Sequence, residues 1–186
     1  MKARNEKSEA GAASARRPEP ALRKPEAADG VRVHDLVAAC PPLDPNSLYC
    51  NLLQCTDFSE TCIIAEQEDE LVGWISGYRP PHDPSTLFVW QVAVHAKARG
   101  TGLAAKMLLA LLDRPGLRDV RFIRTTVTPD NEPSRALFRS VARRSDAPIR
   151  EGGGFERDTH FGGRHESERL IVIGPMAARR ATASAA

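Results

Sequence analysis

Residues 92–112, VAVHAKARGTGLAAKMLLALL, hold the chain's best material for binding chemistry. An apolar segment ends, and a basic glycine turn follows at Arg99-Gly100-Thr101-Gly102. Leu103, Ala104, Met107, Leu108, Leu111 and Leu112 then repeat at helical spacing. The first turn of a helix has unpaired backbone N–H groups and a partial positive charge. Two glycines let the backbone take positive φ and approach a ligand closely, and Lys97 and Arg99 add charge. This combination suits an anion, most naturally a pyrophosphate. Two other phosphate loops are excluded. No G-x-x-x-x-G-K-[ST] occurs, and Gly100-Thr101-Gly102-Leu103-Ala104-Ala105 lacks the third glycine of G-x-G-x-x-G. A strand-to-helix turn that uses glycine for conformation alone is the plainer alternative at this level.

The chain that must position this turn has 186 residues, enough for one domain with tails. Its 26 basic and 24 acidic residues give a net charge of +2, which argues against a polycationic nucleic-acid binder. A composition of 41% hydrophobic and 27% charged residues is that of a globular protein. The longest apolar run is residues 107–112, far short of the roughly 20 residues of a membrane span. The N-terminus lacks the apolar core of a secretory signal, and Glu6, Glu9 and Glu19 argue against a transit peptide, so a cytoplasmic location is expected. Cys40, Cys50, Cys55 and Cys62 form no C-x-x-C pair and no spacing typical of a metal site. They read as small buried hydrophobes in a reducing compartment, and no metal is expected.

Residues 1–18 and 176–186 read as disordered tails, which leaves a folded domain over 20–175. Within it, 21–24 is a short strand and 28–40 a helix carrying Val33, Leu36, Val37 and Cys40 on one side. Asp44-Pro45 reads as an N-cap and first helical position, opening a helix with Leu48, Leu52 and Cys55 on one stripe. Strands over 61–67 and 71–78 flank the acidic turn Glu68-Asp69-Glu70 as a hairpin. Residues 87–95 are apolar on both faces, which predicts a central strand. A helix over 103–113, a strand over 120–128 and a helix around 134–141 follow. Residues 150–163 read as a Gly/Arg-rich loop around at most one short strand near Phe155, and 168–173 as a terminal strand. The order predicts an α/β (α+β) layer fold with a mixed sheet.

These motifs in this order resemble the GNAT superfamily of acetyl-CoA-dependent N-acetyltransferases. Arg99-Gly100-Thr101-Gly102-Leu103-Ala104 matches its [QR]-x-x-G-x-[GA] cofactor motif. Asn131-Glu132-Pro133-Ser134-Arg135-Ala136-Leu137-Phe138 resembles its second, helical motif. The resemblance implies a central sheet whose strands splay to admit CoA, with a bulge in the central strand. It implies that backbone N–H groups from Arg99, Gly100, Thr101, Gly102, Leu103 and Ala104 bind the pyrophosphate. Val92 and Val94 would pair with the pantetheine arm and Asn131 would contact it, although Asn131 fits equally well as a helix N-cap. Phe138 stands where many members have a tyrosine that protonates the leaving thiolate.

A narrower resemblance covers most of the core. LDPNSLYCNLL at 43–53, FSETC at 58–62, GYRPP at 77–81, LFVWQVAV at 87–94 and HESERLIVI at 165–173 are similar to L-2,4-diaminobutyrate acetyltransferases. Ile171 departs from their usual tyrosine. That family makes the N4-acetyl precursor of the compatible solute ectoine. The resemblance implies acetyl-CoA as cosubstrate, a small diamine as acceptor and a homodimer. It implies Glu168 and His165 for proton transfer, and Asp44, Tyr49 and Trp90 for holding the substrate. Each has a structural alternative: Asp44 as a helix cap, Trp90 as core, Tyr49 as helix packing, and Glu168 and His165 as surface residues. Another amine acceptor, including a peptide amine, and a non-catalytic acyl-CoA sensor are the alternatives to this function.

Overall fold

In the computed structural model, which describes residues 18–177, the acidic turn takes the geometry of a two-residue hairpin. Glu68 and Asp69 have φ of 52° and 63°, and Gln67 pairs with Glu70 across them. Positive φ at both turn positions matches the twist of the strands it joins. Those strands are β2 (Ile63–Gln67) and β3 (Glu70–Tyr78). The others are β1 (Ala21–Arg23), β4 (Thr86–Val94), β5 (Phe122–Val127), β6 (Ile149–Phe155) and β7 (Glu168–Ile173). The helices are α1 (Gly30–Ala38), α2 (Leu48–Cys55), α3 (Leu103–Leu112) and α4 (Glu132–Arg144). The element order is the expected one, and the sheet runs β1-β2-β3-β4-β5-β7-β6. Every pair is antiparallel except β4 with β5, so the sheet is mixed and β4 is central.

Helices cover the two faces unequally. The stripe of α3 packs with α4 against one face, where Ile75, Leu87, Met107, Leu108, Ile123 and Ile171 are buried together. On the other face α1 and α2 close over Cys40, Cys55, Cys62, Ile64, Trp74 and Ala93. The free cysteines Cys40, Cys55 and Cys62 are core hydrophobes. Burial pushes the thiols of Cys55 and Cys62 up to about 12.

The first strand is held by charge. Asp29 has a side chain only 2% exposed and takes both Nη atoms of Arg23 (2.7 and 2.8 Å) and the backbone N–H of Glu26 (2.9 Å). Arg32 donates to Asp29, to Glu66 (2.6 Å) and to the carbonyl of Asp69 (2.6 Å), while Arg23 Nε reaches Glu66 (3.1 Å). One network thus ties β1, α1, β2 and the hairpin. Burial works to raise the Asp29 carboxyl, but Arg23, the Glu26 N–H and Arg32 outweigh it and hold it below the usual carboxylate range.

Several expectations are corrected. Asp44-Pro45 does not open α2: Ser47 is the cap, its side chain accepting from the N–H of Cys50 (3.1 Å). The buried side of α2 is Asn51, Gln54 and Cys55, while Leu48 is exposed. Polarity hid that stripe, because Asn51 is satisfied internally by Gln54 (3.1 Å) and His34 (3.2 Å). The loop predicted over 150–163 begins as β6, an edge strand exposed at every residue and bulged between Glu151 and Gly154. Its glycines lowered the strand signal because they serve the bulge. Helix α4 runs longer at both ends than predicted. The expected tails lie outside the described residues except at their inner ends. There Pro18 accepts from Gln67 (2.5 Å), and Met176 is buried, exchanging hydrogen bonds with Arg121.

Candidate active site

The central strand loses its neighbour partway along. β4 and β5 pair only from Thr86–Phe122 to Phe88–Arg124, and beyond that point no register joins them. On its other edge β4 bulges: Ser76 pairs with Gln91 and Gly77 with Val89, which leaves Trp90 as the extra residue. The N–H of His95 donates to Val72 on β3 (3.0 Å). Backbone groups alternate along a strand, so those of Val94 and Val92 turn towards the open side. The Val94 carbonyl accepts from Nε of Arg99 (2.9 Å). The expected bulge and splay are therefore present.

The glycine turn stands at the end of this wedge. Gly100 and Gly102 have φ of 75° and 79°, a region that side chains resist. A Cβ on Gly100 would meet nothing within 4 Å, so conformation requires the glycine and the space above it is open. Gly102 caps α3 without a side chain, which leaves the N–H groups at Leu103 and Ala104 for another acceptor. Thr101 Oγ1 turns inward to the Ala98 carbonyl (2.8 Å). Arg144, which lies outside both sequence motifs, brings Nη2 to 3.9 Å from where a Cβ on Gly102 would sit. Only the tertiary turn of α4 beside α3 reveals it. Asn131 caps α4, its Oδ1 accepting from the N–H of Ser134 (3.1 Å). Phe138 is buried in the α3/α4 core.

A second group of side chains gathers on the sheet face that α1 and α2 leave uncovered. Ile123 and Val127 of β5, and Ile171 and Ile173 of β7, point into the α3/α4 core. Alternation therefore sends Arg124, Thr126 and Glu168 to the opposite face. There Thr126 Oγ1 donates to a carboxylate oxygen of Glu168. A Cβ on Gly154 would lie 2.0 Å from the Glu168 carbonyl, so the β6 bulge needs glycine to pass this residue. Trp90 is not core: the bulge leaves it 48% exposed, edge-on to Tyr78 at 6.4 Å.

Asp44 and His165 come together from opposite ends of the chain. His165 Nε2 lies 3.9 Å from Asp44 Oδ2, and its ring packs on Phe161 at 4.8 Å. Nδ1 faces the Glu166 carbonyl (2.7 Å), so that nitrogen carries hydrogen and Nε2 faces the acid. The Asp44 side chain is 88% exposed, but its carbonyl accepts from Nε2 of Gln91 (2.8 Å). Oε1 of Gln91 in turn accepts from Asn46 (2.8 Å). Gln91 therefore clamps this loop onto β4 beside the bulge, a role its place in an apolar strand did not announce. Tyr49 is 70% exposed on α2, and among the described residues no hydrogen bond or ring contact joins it to the others. Nor does a hydrogen bond join His165 to Glu168.

A recess of about 680 Å³ between α4 and β6, lined by Arg139, Ala142, Arg143 and Ile149, opens on the other face and holds none of these side chains. Among the described residues no cluster of three His, Cys, Asp or Glu could hold a metal, and no helix is long and apolar enough to cross a membrane.

Comparison with known proteins agrees with this geometry. The acetyltransferase (GNAT) family profile matches residues 31–142. The chain is 52% identical over 160 residues to an L-2,4-diaminobutyric acid acetyltransferase of Methylotuvimicrobium alcaliphilum, covering 86% of this chain and 93% of that relative. Its structure is similar, at a TM-score of 0.82 and 44% identity, to a diaminobutyrate acetyltransferase from Paenibacillus lautus. That protein was solved in complex with its substrate L-2,4-diaminobutyric acid and coenzyme A, and the match covers 87% of this chain and 98% of that one. A ribosomal-protein-S18-alanine N-acetyltransferase from Escherichia coli shares the fold alone, at a TM-score of 0.63 and 14% identity over 87% of this chain and 97% of that one.

Proposed function

We propose this chain's chemistry from one premise: it belongs to the acetyltransferase (GNAT) family and, within it, to the L-2,4-diaminobutyric acid acetyltransferases. It is an enzyme that transfers the acetyl group of acetyl-CoA to the 4-amine of L-2,4-diaminobutyrate. The product is N4-acetyl-L-2,4-diaminobutyrate, the ectoine precursor. The observation that carries this reading is the likeness to the Paenibacillus lautus enzyme solved with that diamine and coenzyme A. The same membership supports a homodimer as part of the reading.

The open wedge, the uncapped start of α3 and the positive-φ turn fit a thioester cosubstrate with a pyrophosphate. Backbone groups of Arg99, Gly100, Thr101, Gly102, Leu103 and Ala104 would hold its phosphates. Val92, Val94 and Asn131 would hold its arm. Acetyl-CoA supplies an activated acyl carbon.

The remaining work falls to the face around Glu168. An alkyl amine has a pKa of about 10, so only about one molecule in a thousand is neutral at pH 7. Attack requires the neutral form about 3 Å from the acyl carbon. Glu168, fixed by Thr126, receives the amine's proton, directly or through water. Asp44, oriented by Gln91 and faced by His165, holds the second amine. Trp90, turned outward by the bulge, stacks on the cation, and Tyr49 closes over it with a hydrogen bond. Phe138 has no proton to give the leaving thiolate, so water serves there.

The test is product identity. NMR of the acetylated diamine should show substitution at N4 with the 2-amine free. A predominantly N2-acetyl product, or no turnover of this diamine beside good turnover of another amine, would overturn the reading.

A further inference from the structure

The proposed reaction leaves one substrate group unheld. A diamino acid has a carboxylate besides its two amines, and Asp44, Glu168, Trp90 and Tyr49 offer it no cation. The same sheet face carries one. Arg124 is the last β5 residue in register with β4, at the apex of the wedge. Alternation sets its side chain on the face of Thr126 and Glu168.

Its Nε is shut off from solvent and has no hydrogen-bond partner among the described residues. A buried charged donor without a partner is costly, and such groups call for an explanation. The acid nearest to explaining it is Asp83, but both its oxygens are engaged, Oδ1 by Ser85 (2.8 Å) and Oδ2 by Thr86 (2.7 Å). Those two hydroxyls hold the Asp83 carboxyl low, and the charge of Arg124 adds to their effect.

We propose that Arg124 binds the α-carboxylate of the diamino acid through its guanidinium fork, and so decides which amine reaches Glu168. The inference rests on the functional reading above and deepens it. A guanidinium presents parallel N–H groups that match a carboxylate. Arg124 and Thr126 stand two residues apart, about 7 Å along the strand. The substrate's carboxylate carbon and N4 are four bonds of about 1.5 Å apart, about 5 Å when extended. A carboxylate anchored at Arg124 therefore sends the distal amine towards Glu168. The 2-amine, on the carbon next to the carboxylate, stays near the anchor.

Steady-state kinetics with two acceptors test this: L-2,4-diaminobutyrate and 1,3-diaminopropane, the same chain without the carboxylate. Arg124→Gln should raise the KM for diaminobutyrate about 10- to 100-fold, the scale of a lost charge-assisted pair. It should leave the KM for acetyl-CoA and the kcat/KM for 1,3-diaminopropane within about twofold. Arg124→Lys should restore part of the affinity but not the full preference for N4. Equal losses on both acceptors, or an unchanged KM for diaminobutyrate, would overturn the proposal. If neither variant folds, wild-type enzyme decides it with the carboxamide of the substrate. A large loss against the free acid supports the anchor, and equal use of acid and amide removes it. Wild-type enzyme that ignores diaminobutyrate but acetylates another amine defeats the functional reading itself, a result distinct from failure of the anchor.

Discussion

On either side of the Phe88–Arg124 pairing, the sheet is built from different materials. The β1–β4 half is a continuous antiparallel ladder with helices on both faces, and its outermost strand is tied in by the buried carboxylate of Asp29. In the β5–β7–β6 half one face is packed by α3 and α4, the other lies open, and the edge strand is exposed throughout. Apart from Arg124, whose Nε is enclosed, the charged pairs there lie nearer the surface, as in the Arg169–Glu156 pair at 3.0 Å. The first half tolerates little change at Asp29 because that carboxylate is desolvated. The second can present polar groups to a ligand because no helix covers that face. The buried charge thus lies on one side of the seam and Glu168 on the other, while Trp90, Val92 and Val94 line the seam from the β4 side.

That division can be broken by substitution. The largest effect belongs to Asp29→Ala, which leaves Arg23 and Arg32 without their buried acceptor. It should cost about 3 kcal/mol, the scale of a broken buried ion pair, measured by urea unfolding. The sign with pH is definite. The folded carboxyl titrates below its unfolded value near 3.9, so the stabilisation is full above about pH 5 and fades as pH falls through 4 and below. The gap between wild type and Asp29→Asn should narrow over that same range, and a gap constant to pH 3 would contradict the linkage.

Next is Glu168→Gln on the open face. With Glu168 as the base, kcat should fall about 100-fold, which is about 2.7 kcal/mol of barrier, with a smaller change in KM. The melting temperature should stay close to wild type. A large loss of stability with kcat intact would place this carboxylate on the structural side. The smallest effect belongs to Arg169→Ala. Its partner Glu156 is about half exposed, so unfolding should change by about 0.5 kcal/mol or less. A cost near that of Asp29→Ala would erase the contrast between the halves.

What could be read in the residues follows the same line. The strands β2, β3 and β4 and the helices α1 and α3 are written in apolar periodicity, and they fall within a few residues of expectation. Short-range signals also marked the glycine turn, because its φ values demand glycine and its helix follows at once. What local reading could not reach lies where long-range contact overrules local chemistry. Asp44-Pro45 has the form of a helix start, yet the loop is held by Gln91, 47 positions away in the chain. Trp90 lies in an apolar run, and only pairing with β3 shows that it is the bulged residue. Arg124 and Arg144 belong to no local pattern at all. Their meaning comes from the strand register and from the return of α4 to the start of α3.

The three-pair seam also bears on how long a molecule of this protein survives. A ligand seated where β4 and β5 part would bind the folded chain and not the unfolded one. By mass action it would deepen the folded well, by about 2.7 kcal/mol at a concentration one hundred times its dissociation constant. With the acyl donor as that ligand, it would be a building material as well as a reactant, and plentiful donor would bridge the gap and help the chain resist opening. Without donor the two halves would be joined by the pairs from Thr86 to Phe88 and by the shared α3/α4 core, and the molecule would stand closer to the proteases that clear unfolded chains.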